Sequence, residues 1–225
     1  MIIRTSAIDR LINEALGAGV DTVLNLGAGL DTRPYRLKLP TTLRWVEVDF
    51  PNIIELKNSK LGEYKPVCEL ERVGLDLLDR PSRNKLLARY ARSSKCILVI
   101  TEGVLTYFSI YDVARLASEL HETSSISFWI QDFDNAGKRG LPRGWESRLM
   151  AAPFLFKVTD WFGFFEKYGW RSSRVITSLE ESMRINRPYP LDFPFGLLLR
   201  ALPKDMGRKI QSQSGAVVMR KRLTC

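Results

Sequence analysis

Val23-Leu24-Asn25-Leu26-Gly27-Ala28-Gly29-Leu30-Asp31 is the stretch on which the reading of the whole chain turns. A short run rich in apolar residues, ending on two glycines one residue apart, reads as a buried strand followed by a turn. There the backbone bends sharply and comes close to a ligand, and a side chain would hold that ligand away. Upstream, Ile8, Leu11, Ile12, Ala15 and Leu16 recur at helical spacing until Gly17 and Gly19 supply a stop. Downstream, β-rich runs at Leu43–Val48, Arg72–Leu75, Cys96–Ile100 and Ser125–Ile130 continue the series begun by Thr22–Leu26. Between them, Asn52–Leu61, Ser82–Tyr90 and Tyr111–His121 pair apolar positions three or four apart with a polar face, as amphipathic helices do. This alternation predicts an α/β fold: a doubly wound, mostly parallel, seven-stranded sheet with helices on both faces.

The pattern degrades after Phe133 and resumes with an aromatic helix over Thr159–Tyr168 and β-like runs at Arg174–Thr177 and Ala216–Arg220. These last two are expected to form a hairpin at one edge of the sheet. Segments 135–160, with Trp145, Phe154 and Phe156, and 179–212, with Tyr189, Phe193 and Phe195, are candidates for a lid and for substrate contacts. Their aromatics would serve equally well in a core.

A length of 225 residues suits one substantial core, so a single domain spanning residues 1–225 is expected. The formal charge of +9 favours anionic partners, yet the basic residues are dispersed, with Arg220, Lys221 and Arg222 the only tight cluster. A small acidic or carrier-borne partner therefore fits better than nucleic acid. Three cysteines without a Cys-x-x-Cys spacing argue against a disulfide framework or a zinc site, and no metal is expected. A reducing cytoplasm fits that usage, and neither a secretion signal nor a membrane span is read in the chain.

The chemistry concentrates where the strands end. A dinucleotide fingerprint would place a third glycine at position 32, where this chain has Thr32, and Asp31 adds an anion facing the ligand region. That combination disfavours a pyrophosphate and suits the positive sulfonium of S-adenosylmethionine. Asp49 closes the second strand, twenty residues past Gly29, where a carboxylate can accept from ribose hydroxyls. The bland alternative is a tight turn plus an acid capping the helix near Pro51. Asp76 and Leu77 follow the third strand, where an acid could accept from an adenine amino group beneath an apolar cover. Glu102 and Gly103 follow the fourth strand, at the carboxyl edge where ligands of doubly wound sheets bind. The only histidine, His121, sits at the end of a predicted helix, where interaction with the helix terminus explains it more simply than catalysis.

Five strings, taken in order, carry a family resemblance: Arg4-Thr5-Ser6-Ala7-Ile8-Asp9, Asn25 through Leu37, Val46-Glu47-Val48-Asp49-Phe50-Pro51, Asp76-Leu77 and Glu102 through Tyr107. They resemble the leucine carboxyl methyltransferase family, class I enzymes dependent on S-adenosylmethionine that include O-methyltransferases of polyketides and other natural products. The resemblance covers residues 4–133 well and the remainder in outline. It implies a Rossmann-like fold and S-adenosyl-L-homocysteine as the product of the cofactor. Carried over by position, Arg4 would pair with the methionyl carboxylate, Gly27, Ala28 and Gly29 would line the cofactor, and Asp49 with Phe50 would meet the ribose. Asp76 and Leu77 would meet adenine, Glu102 and Gly103 would lie beside the methionyl or ribose portion, and Tyr107 would face the methyl group and the acceptor. Arg33 and Arg36 would anchor the loop or neighbouring acids, or else grip an anionic substrate. Relatives carry more chain ahead of the Arg-Thr motif than the three residues found here, so the pocket is expected to be open or covered by a second subunit, as in a homodimer.

The expected activity is O-methylation of a carboxylate, or of a phenolic hydroxyl, on a small acidic natural product or carrier-linked acid. A carboxylate acceptor is already ionised and needs no base. The competing expectation is a non-catalytic partner protein that binds the same cofactor. A nicotinamide-dependent oxidoreductase is disfavoured by Thr32.

Overall fold

In a computed structural model of the chain, residues 2–134, 153–187 and 214–221 are described. Helix α1 (Ile2–Gly17) leads into β1 (Thr22–Leu26), a single helical turn α2 (Arg33–Arg36), β2 (Arg44–Asp49), α3 (Pro51–Leu61), β3 (Glu69–Gly74) and α4 (Arg80–Ser93). There follow β4 (Ile97–Thr101), a 3₁₀ turn (Leu105–Tyr107), α5 (Ile110–Glu122), β5 (Ile126–Asp134), α6 (Trp161–Glu166), β6 (Trp170–Thr177), α7 (Ser178–Arg184) and β7 (Ser214–Lys221). The seven strands form one sheet in the order β3-β2-β1-β4-β5-β7-β6, parallel from β3 through β5.

The two late strands pair antiparallel at one edge of the sheet, as expected, though through a long connection. Strand β7 slots between β5 and β6 and runs antiparallel to both, while α7 and residues 188–213 separate β6 from β7 in the chain. Strand β3 begins three residues before the predicted start, because Glu69, Leu70 and Glu71 extend its ladder to β2 at an edge where side chains are only partly covered.

Alternation along each strand feeds two cores, one on each face of the sheet. Leu24, Leu26, Val46, Val48, Val99 and Trp129 point one way, against α4, α5 and α6. Val23, Trp45, Leu98, Ile100, Phe128 and Ile130 point the other way, against Ile8, Leu11 and Ile12 of α1. On the first face the rings of Trp129, Phe165 and Trp170 meet edge to face at 5.2 and 5.4 Å, and the Trp129 and Trp170 indoles donate to Thr101 Oγ1 and the Ala117 carbonyl. Phe156 joins this cluster, so within segment 135–160 that aromatic is core; Trp145 lies outside the described residues.

The described start of segment 179–212 is scaffold as well. Helix α7 is fastened to α1 through Glu181, fully buried, which accepts from Ser6 at 2.6 Å, Arg10 at 2.7 Å and Arg184 at 2.6 Å. Burial alone would raise the Glu181 pKa; the hydrogen bonds from Arg184, Ser6 and Arg10 outweigh it and hold the carboxyl at about 2. Tyr189, Phe193 and Phe195 lie outside the described residues. At the other end of the sheet, Glu47 and Lys57 form a wholly buried ion pair at 2.7 Å, joined by Arg72, which ties α3 to β2 and β3. No helix among the described residues is long and apolar enough to cross a membrane.

Candidate functional site

The strand order reverses at β1, with the chain passing to β2 on one side and β4 on the other, and such a switch point leaves a crevice at the carboxyl edge. A cavity of about 410 Å³ opens there. Its wall is built by Gly27 after β1, Asp49 and Phe50 after β2, Leu75 to Leu78 after β3, and Gly103, Val104, Tyr107 and Phe108 after β4.

The glycine turn is bound to the neighbouring strand: the amides of Gly27 and Ala28 both donate to the Val48 carbonyl, at 2.7 and 3.1 Å. Gly27 has φ +72°, and a Cβ there would stand 2.2 Å from Val104 Cγ2, so both backbone conformation and the close approach of the β4 loop require glycine. Asp49 completes the tie, accepting from the Gly29 amide at 2.7 Å through Oδ2 and from the Phe50 amide at 2.8 Å through Oδ1. It is not the cap of α3, since Phe50 holds the N-cap position there without a side-chain hydrogen bond. Each carboxylate oxygen keeps acceptor capacity beyond its one amide, at the wall of the cavity.

Beyond β3, Asp76 Oδ1 accepts from the Leu78 amide at 2.8 Å, which fixes a short turn and leaves the acid exposed at the cavity. Leu77 is buried beneath it, while Phe50 and Leu78 are about half exposed at the rim. The result is an apolar stretch of wall with a carboxylate beside it, chemistry suited to a flat heteroaromatic ring. Tyr107, also on the wall, is 44% exposed and its ring meets that of Phe154 at 5.6 Å.

A network of arginines and acids adjoins these residues; in it Arg33 and Arg36 hold neighbouring acids, as expected, while Asp31 is placed differently from the sequence-based expectation. Arg33, 2% exposed, pairs with Asp9 at 2.6 Å, Asp31 at 2.9 Å and Glu102 at 2.8 Å. Burial opposes the Arg33 charge, but Asp31, Glu102 and Asp9 outweigh it and raise the pKa above the usual arginine value. Asp31 therefore does not face the ligand region; it turns beneath the glycine turn to Arg33 and the Asn25 amide. Arg36 chelates Asp9, so both arginines anchor acids of the chain itself.

Arg4 donates through Nε to Glu102 at 2.9 Å and through Nη1 to Asp132 at 3.0 Å. Glu102 thus has one oxygen on Arg4 and the other on Arg33; neither it nor Arg4, Ala28 or Gly29 is among the residues that line the cavity, although Arg4 is 40% exposed and stands beside Gly103, which does. Asp132, at the end of β5, holds the Gly103 amide at 2.8 Å with its other oxygen. Burial pushes its carboxyl up, while Arg4 and the Gly103 amide push it down; the net direction is upward.

Asp132, Val104, Phe108, Leu75 and Leu78 are not singled out by the sequence. The one signal for Asp132 is an acid two residues past the fifth apolar run, which ends at Ile130. His121 is far from these residues in role: it packs edge-on against Trp170, and burial, then Lys221, lowers its pKa. The contact with Trp170 gives the ring a packing role. Among the described residues no group of three or more potential ligands could hold a metal ion.

Comparison with known proteins places this geometry. The sequence model described as leucine carboxyl methyltransferase matches residues 1–121. A protein of Parafrankia sp. (strain EAN1pec), named as a candidate S-adenosyl-L-methionine-dependent methyltransferase, is 30% identical over 86% of this chain, which spans 64% of its length. A Mycobacterium sp. (strain KMS) protein with the same description is 30% identical over 88% of the chain and 70% of its own length. For other curated relatives the chain spans only about two fifths of the length. Among solved structures, a DUF574-family protein from Streptomyces avermitilis has the same fold, with a TM-score of 0.64 at 17% identity over 98% of this chain and 83% of its own. A family match across more than half of the chain, in the segment that builds the glycine turn, Asp49, Asp76 and Glu102, shows that the chain belongs to the leucine carboxyl methyltransferase family.

Proposed function

We propose that the cavity binds S-adenosylmethionine and that the chain directs its methyl group to an oxygen, foremost a carboxylate, of a small acidic natural product or carrier-linked acid. The observation that carries the reading is Asp49, whose carboxylate is fixed by the Gly29 and Phe50 amides at the cavity wall, with capacity left to accept from two vicinal hydroxyls. The remaining wall fits the same ligand. Gly27 leaves room for a close approach, the apolar wall at Leu77 suits adenine, and Asp76 beside it can accept from an exocyclic amine. Bound there, the sulfonium nucleoside supplies an electrophilic methyl group.

The protein's own contribution is placement. Tyr107, exposed at the cavity wall, can orient an acceptor through its hydroxyl or present its ring to a cation. No histidine stands on the wall to serve as a base, and a carboxylate acceptor needs none, since it is ionised near neutral pH. Orientation of two bound reactants supplies up to about 7–11 kcal/mol in favourable cases. The dominance of positive charge, +9 overall, favours acidic acceptors over neutral ones.

Incubating the full chain with methyl-labelled S-adenosylmethionine and a panel of aliphatic acids, aromatic acids and phenols should give label that is released by mild base, as a methyl ester is. Label that resists base removes the carboxyl assignment. Binding of the nucleoside with no labelled product from any acceptor supports the non-catalytic partner protein instead.

A further inference from the structure

We propose that Asp132 is a positioning residue for the amino-acid tail of the bound nucleoside, acting through Arg4 and Gly103; this rests on the reading of the cavity as an S-adenosylmethionine site. One carboxylate spans the two elements that would meet that tail. Oδ1 accepts from the Gly103 amide at 2.8 Å and Oδ2 from Arg4 Nη1 at 3.0 Å. Its side chain is only 17% exposed, so the pairs operate where water competes weakly.

The arrangement is determined from both sides. Strand β5 lies parallel to β4 with Gln131 opposite Thr101, so Asp132, still paired to β7, stands next to Glu102, the first residue past the end of β4. Glu102 takes Arg4 Nε while Asp132 takes Nη1, and the two acids set the plane and direction of the guanidinium. Arg4 itself sits in the first turns of α1, with 40% of its side chain exposed, and would otherwise sample many rotamers. Its Nη2 is directed at Gly103, where an added Cβ would stand 3.4 Å away. Gly103 has φ +68° and lines the cavity, so the bond from Asp132 to its amide fixes the loop segment that shapes this part of the wall. Asp132 touches no cavity space itself. It holds a cation and a backbone turn in register, so that a carboxylate-bearing tail finds both in place.

The test separates the tail from the rest of the nucleoside. S-Adenosylhomocysteine and 5′-methylthioadenosine share adenine, ribose and a thioether, and only the former carries the amino-acid tail. In Asp132→Asn the side-chain oxygen can still accept from Gly103, but the amide nitrogen then opposes a donor on Arg4. By calorimetry, Asp132→Asn should bind S-adenosylhomocysteine roughly 10- to 100-fold more weakly than the unmodified chain, with methylthioadenosine affinity changed less than about twofold. Asp132→Ser, smaller and still an acceptor, is measured in parallel and should show the same selectivity. In an Arg4→Met background, adding Asp132→Asn should cost less than about twofold, because the route through Arg4 is already gone.

Equal losses for both ligands would make Asp132 a general support of the cavity and overturn the proposal. So would unchanged affinity for the homocysteine form, or full additivity with Arg4→Met. Failure of the unmodified chain to bind either nucleoside is a distinct result, which removes the cofactor reading itself and this inference with it.

Discussion

Asp49→Ala is expected to lower affinity for S-adenosylhomocysteine by about 10- to 150-fold, the equivalent of roughly 1.5–3 kcal/mol for hydrogen bonds to a charged acceptor. The carboxylate does two things at once. It tethers the glycine turn through the Gly29 amide and presents its remaining acceptor capacity to the cavity. Removing it deletes the ribose partner and also frees the Gly29 amide, so the loss should fall at the upper part of that range. Asp49→Asn keeps one acceptor oxygen and should lose less. Isothermal titration of both variants checks the order, and affinity unchanged in Asp49→Ala would remove the ribose role.

The second large effect concerns stability. Arg33→Ala leaves Asp9, Asp31 and Glu102 without their shared buried cation, and breaking a buried ion pair from one side costs about 3–5 kcal/mol. The cost arises because three largely buried carboxylates, 11–18% exposed, then face one another with less compensation. Arg36 and Arg4 remain on Asp9 and Glu102, which tempers the loss at those two acids, whereas Asp31 retains only the Asn25 amide and the backbone amide of residue 33. Urea denaturation at neutral pH should show a lower midpoint with an unchanged slope. A midpoint shift equivalent to less than about 1 kcal/mol would mean that the network is not a stability element.

Much of the sheet is legible in the order of residues because its core strands are buried on both faces. Continuous apolar runs such as Thr22–Leu26 and Ile97–Thr101 announce themselves, and two glycines after the first of them fix where the ligand edge lies. The edge strand β3 reads short in the sequence because Glu69 and Glu71 face partly open surroundings and carry no hydrophobic signal. The place of β7 between β5 and β6 is not readable, since a pairing that skips residues 178–213 leaves no local pattern.

The same distinction holds at the site. Gly27, Asp49, Phe50, Asp76, Leu77, Gly103 and Tyr107 all reach the cavity wall, because each follows a strand end whose position the apolar runs already determine. Arg4, Asp31 and Glu102 carry charge, and charge alone does not say whether a group turns to a ligand or to another side chain. Arg33 decides that question: its buried guanidinium draws Asp31 and Glu102 inward. Asp132 becomes recognisable only once β5 is known to lie beside β4.

A crystal structure of the full chain with S-adenosylhomocysteine tests the central claim most directly. The ribose hydroxyls should lie within hydrogen-bond distance of Asp49, with adenine against Leu77 beside Asp76 and the amino-acid tail toward Arg4 and Gly103. An empty cavity at saturating ligand, or density bound elsewhere on the molecule, would contradict it.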